Sequence, residues 1–177
     1  MIGKLRSLLF AIVLSASMLS SLSYASSIET CASRLLIDAD SELVVIEVMD
    51  YIRQESVVID DEFVKYLLVL MYVESTFRAD AVSPANAIGL LQLTRIAVKD
   101  VGAEFSVDKL KDPYYNVYVG SRFLELLKSR HRSWVEILIA YNGGSKWIDR
   151  FHRGKPIPQE TERFVMRVQH IKETRCD

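Results

Sequence analysis

The sequence has no marked excess of either positive or negative charge, and it has few of the cysteines and histidines that bind metals. Its 177 residues include 22 basic and 23 acidic side chains, which give a formal net charge of −1, and no basic run stands out. Proteins that bind nucleic acid usually present a concentrated positive surface, so we exclude that class. The two cysteines are far apart and the three histidines are scattered, so no spacing typical of a metal site is present. We therefore expect no metal and no cofactor.

A long apolar run occurs once, at the start of the chain. Residues 8–22 are mostly apolar with interspersed serines, and they follow Lys4 and Arg6. This order is typical of a secretory signal peptide, and the run is short for a membrane span of ~20 residues. We predict a signal peptide at 1–25, one mature domain at 26–177, and a periplasmic or secreted location. The alternative is an uncleaved membrane anchor.

The two cysteines, Cys31 and Cys176, stand near opposite ends of the predicted mature chain. In an oxidising compartment such a pair favours a disulfide between the termini. A disulfide of this kind would stabilise the fold by restricting the unfolded chain. The alternative is two unrelated thiols.

Strict alternation of apolar and polar residues is rare, and apolar residues recur instead at steps of three and four. This periodicity predicts an all-α protein with one compact domain. The Val and Ile content of residues 43–48 leaves a strand possible there. The predicted helices cover about 31–52, 60–76, a short segment from 89, 113–130, 133–142 and 159–173, with irregular stretches at about 77–88, 102–112 and 143–158.

The second predicted helix carries a carboxylate on its apolar face. The apolar stripe of this helix consists of Phe63, Tyr66, Leu67, Leu70 and Met71. Glu74 continues the same i, i+3, i+4 pattern at the C-terminal end of the stripe. Burial and the negative end of the helix dipole both raise the pKa of such a carboxyl, which suits a general acid. The alternative is a glutamate that turns to solvent at a frayed helix end.

A second apolar stripe ends on a tyrosine. Trp134, Ile137 and Leu138 precede Tyr141 at helical spacing, and Asn142-Gly143-Gly144 suits the backbone conformation that ends a helix. Alone, this pattern fits a core tyrosine followed by a helix cap. Two apolar stripes that each end on a polar residue favour one shared pocket.

Polar residues after Glu74 extend this candidate pocket. Ser75, Ser83 and Gln92 lie in or beside an irregular stretch and would gather around the end of the Glu74 helix. They fit a sugar-binding lining, and an ordinary polar loop fits them equally.

These segments resemble the SLT-domain lytic transglycosylases, whose fold is similar to that of goose-type lysozyme. The resemblance extends from about residue 63 to residue 168 and consists of four motifs in the order of the family. The motifs are Glu74-Ser75-x-Phe77 followed by Ser83-Pro84-x-x-Ala87-x-Gly89-Leu90-x-Gln92; Leu110-x-Asp112-Pro113 with Asn116-Val117-x-x-Gly120; Ala140-Tyr141-Asn142-Gly143-Gly144; and Ile157-Pro158-x-Glu160-Thr161-x-x-Phe164-Val165.

Several positions depart from the family pattern. Asn86 stands where the family usually has glycine, and asparagine is also able to adopt a left-handed backbone conformation. Leu93-Thr94-Arg95-Ile96 replaces the usual Met-Pro-x-Thr. Gly143 replaces a common alanine, and Phe164 replaces a common tyrosine and lacks its hydroxyl. None of these changes removes the candidate acid.

The resemblance implies that the substrate is peptidoglycan and that the β-1,4 bond from N-acetylmuramic acid to N-acetylglucosamine is cleaved. It implies Glu74 as the acid and then the base that closes a 1,6-anhydro ring, with no second catalytic carboxylate. Tyr141 would lie near Glu74 or the reacting sugar. The implied substrate-binding residues are Ser83, Gln92, Asn142 and Glu160.

Two alternatives stay open. A muramidase on the same fold would need a carboxylate to position water, for which Asp80, Asp100 and Glu104 are available. A non-catalytic factor would instead dock an assembly onto peptidoglycan. A chain with little beyond the catalytic domain resembles the specialised transglycosylases of secretion, conjugation or pilus machines. The components of such a machine are therefore candidate partners. We expect the protein itself to be a monomer.

Overall fold

A computed structural model of the chain describes residues 27–54 and 60–177. The predicted signal peptide at 1–25 lies outside the described residues. Within the described ranges the regular structure is helical, accompanied by isolated antiparallel bridges from Ile88 to Val82 and to Leu93. This confirms the all-α prediction. None of the helices in these ranges has the length and apolar character needed to cross a membrane.

The helices follow one another with short connections. In chain order they are α1 at residues 27–35, α2 at Ala39–Gln54, α3 at Asp61–Ser75, α4 at Arg95–Asp100, α5 at Val107–Lys111, α6 at Pro113–Arg130, α7 at Trp134–Gly143, α8 at Ile148–His152 and α9 at Gln159–Ile171. A 3₁₀ turn at Ser145–Trp147 precedes α8, and a π-helical turn at Lys172–Cys176 follows α9.

The predicted starts of α3, α6 and α7 are confirmed, and each has a side-chain cap. Asp60, Asp112 and Ser133 each accept a hydrogen bond from the backbone N–H three residues further on, at 2.7, 2.8 and 3.3 Å. These bonds satisfy backbone donors that the first turn of a helix leaves without a partner. In α6 the cap is followed by Pro113 at the first helical position, where a missing N–H costs nothing.

The prediction of one helix over 31–52 is wrong, because the chain is interrupted between α1 and α2. Asp38 and Ser41 form a reciprocal cap: Ser41 N–H donates to the Asp38 carboxylate at 2.8 Å, and Asp38 N–H donates to Ser41 Oγ at 3.0 Å. Such a pair starts a new helix at this point. The strand considered at 43–48 is part of α2.

The helix predicted from Gly89 is also wrong. Residues 89–92 form turns, and α4 begins only at Arg95, where Thr94 Oγ1 accepts a hydrogen bond from Ala97 N–H at 3.3 Å. The stretches predicted to be irregular at 102–112 and 143–158 contain the short helices α5 and α8.

Helix α3 lies at the centre of the core. All its residues from Phe63 to Met71 except Lys65 are buried, so the helix is covered on every side and not on one face alone. Helix α9 and the π-helical turn pack against it, and Trp134 of α7 stacks on Tyr66 with ring centroids 3.9 Å apart. This packing fixes the direction of α3 and therefore the place where its last turn emerges.

The structure contains the predicted disulfide between Cys31 and Cys176, which joins α1 to the π-helical turn. Beside it, Arg34 and Arg175 each donate a guanidinium hydrogen bond to the other's backbone carbonyl, at 3.4 and 3.3 Å. The two ends of the described chain are thereby tied together next to α9.

Candidate active site

Glu74 is the penultimate residue of α3, and the chain reverses sharply just after it. Thr76 and Phe77 adopt left-handed conformations with φ of 52° and 59°. Their N–H groups return to the carbonyls of the last turn, and the side chain of Phe77 is buried. These bonds and contacts offset the cost of two non-glycine residues in an unfavourable region. The end of the helix is thus a defined cap and not a frayed end.

Ser75 connects the end of α3 to the loop that follows. Its hydroxyl is buried and lies 2.9 Å from the carbonyl oxygen of Leu90 and 3.1 Å from that of Met71. This serine supports the fold beneath the site and does not contribute to its lining.

The loop at 88–93 is held in place by one buried amide on α6. The side chain of Asn116 accepts a hydrogen bond from Leu91 N–H at 2.9 Å and donates to the carbonyls of Ile88 and Leu110 at 3.0 and 2.7 Å. It satisfies three buried backbone groups at once. Sequence reasoning missed this role, and the signal available was the position of Asn116 within the second motif.

Gly89 lies where this loop passes closest to α6. Its φ is +77°, and a Cβ at this position would lie 2.3 Å from the carbonyl oxygen of Leu110. Glycine alone combines this backbone conformation with so close an approach. The motif glycine therefore serves the path of the loop.

The predicted binding residue Ser83 shapes the first part of the loop. Its hydroxyl accepts a hydrogen bond from Ala87 N–H at 3.0 Å, and its own N–H donates to the Ala87 carbonyl at 2.9 Å. Asn86 within this turn has φ of 58°, which confirms the prediction that it substitutes for glycine. Ser83 orders the turn through these bonds.

Gln92 and Tyr141 each donate a side-chain hydrogen bond to the backbone of the loop at 88–93. The Gln92 side chain donates a hydrogen bond to the Gly89 carbonyl at 2.9 Å, and the residue has φ of 45°. The Tyr141 hydroxyl donates to the carbonyl of Leu91. Gln92 from within the loop and Tyr141 from α7 therefore both hold the loop in place.

The electrostatics of Glu74 differ from those of an ordinary surface carboxylate. Burial raises the pKa of Glu74 to about 7, while the positive charge of Arg167 acts in the opposite direction. Burial also raises the pKa of Tyr141 well above its usual value, and the charge of Glu74 adds to this effect. The charge of Glu74 thus acts on Tyr141 in the folded protein, although the two residues are distant in the sequence.

A cleft of about 320 Å³ opens beside Tyr141, between the end of α7 and the start of α4. Three of the predicted site residues, Gln92, Tyr141 and Asn142, line it together with the charged side chains of Asp100 and Arg130. Ser83 does not belong to this lining, and neither does Glu160, which is exposed in the first turn of α9.

Aromatic rings form the wall behind Tyr141. Phe164 stacks on it with centroids 6.3 Å apart and planes 4° apart, and Phe123 lies at 5.8 Å. The contact of Phe164 is made by its ring. A Cβ on Gly143 would lie only 2.7 Å from Oγ1 of the buried Thr161. Glycine at this position, where the family commonly has alanine, therefore leaves room for Thr161.

Comparison with known proteins decides the family. The family model described as "Transglycosylase SLT domain" matches residues 60–162, which is more than half of the chain. The chain belongs to the transglycosylase SLT domain family. The matched range of this SLT domain begins at the cap of α3 and ends in the first turn of α9, so it contains Glu74, Tyr141 and the loop between them.

Curated relatives are similar to part of this SLT domain. A protein of Pectobacterium atrosepticum named membrane-bound lytic murein transglycosylase C is 30% identical over 94 residues. The protein of the same name from Glaesserella parasuis is 34% identical over 94 residues. Each alignment covers 45% of this chain and 26% of the relative, so the aligned region is about a quarter of those relatives.

A solved structure shares the fold. The 70 kDa soluble lytic transglycosylase Slt70 from Escherichia coli superimposes with a TM-score of 0.53 at 23% sequence identity, over 64% of this chain and 21% of that chain. The predicted lysozyme-like transglycosylase fold is confirmed.

Proposed function

We propose that this SLT domain is a peptidoglycan lytic transglycosylase in which Glu74 is both the general acid and the general base. The observation that carries the proposal is the Glu74 carboxyl itself, which has a pKa of about 7 at a defined helix end. Among the residues that the structure describes, none donates a hydrogen bond to this carboxyl. Family membership and the names of the relatives supply the substrate class.

The reaction uses one carboxyl group in two steps. Protonated Glu74 gives its proton to the oxygen of the β-1,4 bond, while the acetamido oxygen of the muramyl residue attacks C1 and the leaving sugar departs. The Glu74 carboxylate then takes the proton of the C6 hydroxyl, whose oxygen attacks C1 and displaces the acetamido group. A 1,6-anhydro ring results, no water is consumed, and Glu74 returns to its acid form. A second carboxylate of the kind that ordinary glycosidases use is not needed.

The neighbouring residues are proposed to position the glycan strand. Gln92 and Asn142 line the cleft beside Tyr141, where their amide groups are able to bind acetamido or hydroxyl groups of the sugar. Tyr141 anchors the loop at Leu91 and lines the cleft, whereas Glu74 is not among the residues that line it. Contacts of Ser83 and Glu160 with the substrate stay predictions, since neither lines this cleft.

The proposed site of action is the cell wall outside the cytoplasm. The Cys31–Cys176 disulfide is a feature of oxidising compartments, and the relatives are named as membrane-bound murein enzymes. Cleavage of the signal peptide, a monomeric state and service to a secretion, conjugation or pilus machine are parts of the same hypothesis.

Incubation of the purified protein with peptidoglycan sacculi separates an enzyme from a docking factor. We expect the turbidity of the suspension to fall and soluble muropeptides to appear, because cleavage of glycan strands solubilises the wall. Sedimentation of the protein with sacculi, without loss of turbidity, would contradict the proposal and favour the docking factor.

The activity should decrease as the pH rises through neutrality. Glu74 must be protonated to start the reaction, so kcat/KM should fall as the pH rises through about 7, by about tenfold per unit beyond it. Initial rates of muropeptide release between about pH 5 and pH 9 measure this decrease. A rate that keeps rising to the alkaline end would mean that the required form of Glu74 is the carboxylate.

A further inference from the structure

The cleft beside Tyr141 has walls from α6 and α4, and each wall carries a charged side chain. Phe123, Leu127 and Arg130 stand on one face of α6 at i, i+4 and i+7, so this wall is apolar up to a guanidinium at the end of the helix. Asp100, the last residue of α4, belongs to the second wall. A positive and a negative charge therefore share one cleft.

The end of α6 is held at the rim of this cleft. His131 follows Arg130 and ends the helix, and its N–H donates to the carbonyl of Leu127 at 3.0 Å. Its ring Nε2 lies 3.1 Å from the hydroxyl oxygen of Ser145, which itself lines the cleft. These bonds hold the backbone of Arg130 beside the cleft.

Neither of the two charges is neutralised by the protein. Within residues 27–54 and 60–177, the side chains of Arg130 and Asp100 form no hydrogen bond or ion pair, either with each other or with another residue. Both side chains are exposed. Arg122 and Glu125 line a second depression together with Asp100, and neither pairs with it. Both charges of the cleft are thus available to a ligand.

Hydrogen bonds connect this cleft to the end of α3, although Glu74 does not line it. Ser75 follows Glu74, and its hydroxyl oxygen lies 2.9 Å from the carbonyl oxygen of Leu90. The next residue, Leu91, accepts a hydrogen bond from the hydroxyl of Tyr141, which lines the cleft. We therefore expect a glycan strand with its scissile bond at Glu74 to place a neighbouring group in the cleft.

The two charges indicate which part of peptidoglycan suits the cleft. The glycan strand is neutral, because its sugars carry hydroxyl and acetamido groups and the lactyl carboxyl of the muramyl residue is joined to the peptide as an amide. The stem peptide has free carboxylates and, on a diamino residue, a free amino group. The amides of Gln92 and Asn142 suit the sugar, whereas Asp100 and Arg130 suit the peptide attached to it.

We propose that the cleft binds the stem peptide next to the cleaved bond, with Arg130 recognising a carboxylate and Asp100 an amino group. This inference rests on the proposed function. A guanidinium binds a carboxylate through two parallel hydrogen bonds. Asp100 lines the second depression with Arg122 and Leu126, about one to two turns before Arg130 on α6, so the charges stand roughly 6–12 Å apart along the helix. An extended peptide covers this distance with about two to four residues.

Glycan strands that keep their stem peptides, compared with strands from which an amidase has removed them, test this specificity. Arg130→Gln and Asp100→Asn each remove one charge. The ratio of kcat/KM on peptide-bearing strands to kcat/KM on denuded strands should fall about tenfold in each variant, mainly through KM, because one lost charge-assisted hydrogen bond corresponds to roughly one tenfold step. High salt should narrow the difference by screening.

Matched controls remove equal charges outside the cleft. Arg132 lies just beyond α6 and Asp108 lies on α5, both side chains are exposed, and neither lines the cleft. Arg132→Gln and Asp108→Asn should keep the parental ratio. Arg130→Lys keeps the charge without the planar guanidinium, so its ratio should lie between those of the parent and Arg130→Gln.

Binding to the Glu74→Gln protein tests the inference without turnover. In calorimetry, a disaccharide tetrapeptide should bind more tightly than the same disaccharide without its peptide. Acetylation of the peptide amino group should weaken binding, and it should have little further effect when Asp100→Asn is also present. Amidation of the peptide carboxylates should show the same relation with Arg130→Gln.

A ratio of kcat/KM values that is equal in the parent and in both variants would overturn the inference. Equal binding of the disaccharide with and without its peptide would do the same. A parent protein that releases no muropeptides from sacculi would instead overturn the proposed function. The calorimetric comparison would still show whether the cleft binds a stem peptide.

Discussion

Glu74→Gln is expected to lower muropeptide release by about 10³-fold or more, because the amide is unable to donate a proton to the leaving sugar or to accept one from the C6 hydroxyl. Glutamine has the same shape, so the helix cap and the cleft should be preserved. The measurement is the initial rate of release from purified sacculi, with circular dichroism to confirm the fold.

Glu42→Gln is the matched control, since it makes the same change at an exposed position of α2. It should leave the rate unchanged. Retained activity of Glu74→Gln in a preparation free of other muralytic enzymes would rule out the assignment.

The stability of Glu74→Gln provides a second sign. Folding raises the pKa of this carboxyl, so its ionisation destabilises the folded state. This destabilisation grows as the pH rises from the pKa of the unfolded chain to about 7, the pKa in the folded state. At pH values above about 7 the glutamine variant should therefore be at least as stable as the parent.

Asn116→Ala is expected to reduce the free energy of unfolding by about 5 kcal/mol, the largest stability effect that we foresee near the site. The substitution removes the Asn116 partner of the buried Leu91 N–H and Leu110 carbonyl, while the Ile88 carbonyl keeps its hydrogen bond from Leu93 N–H at 2.9 Å. Each unsatisfied buried group costs about 1–3 kcal/mol. Urea denaturation monitored by tryptophan fluorescence measures the loss.

Ser129→Ala on the same helix is the control, because its hydroxyl is exposed and bonds only within the last turn of α6. It should change stability by less than about 0.5 kcal/mol. A loss of less than about 1 kcal/mol for Asn116→Ala would show that the loop finds other partners.

The activity per folded molecule of Asn116→Ala should also fall, since the loop carries Gln92 and the carbonyl that accepts a hydrogen bond from Tyr141.

Features that depend on neighbouring residues could be predicted from the sequence. The starts of α3, α6 and α7 follow from a capping side chain beside an apolar pattern, and both lie within one turn. The left-handed turn at Asn86 follows from the backbone preference of asparagine. The interruption between α1 and α2 had a local signal as well, the pair of Asp38 and Ser41, which the apolar periodicity hid.

Features that depend on distant segments could not be predicted in the same way. The apolar residues at 88–91 suit a helix by themselves, and they form turns because Asn116 of α6 takes their backbone hydrogen bonds. The effect of the Arg167 charge on the pKa of Glu74 depends on how α9 packs on α3, and no pattern within α9 reveals it. Likewise, all-round burial of α3 follows from packing by other helices.

The masses of the muropeptides released from purified peptidoglycan, with the Glu74→Gln protein assayed in parallel, show whether the reaction is a Glu74-dependent lytic transglycosylation. We expect products lighter by one water than their hydrolytic counterparts, which is the signature of a 1,6-anhydro ring, and their absence in the variant. Products with an ordinary reducing end would contradict it, because they would require an activated water and a second carboxylate to position it.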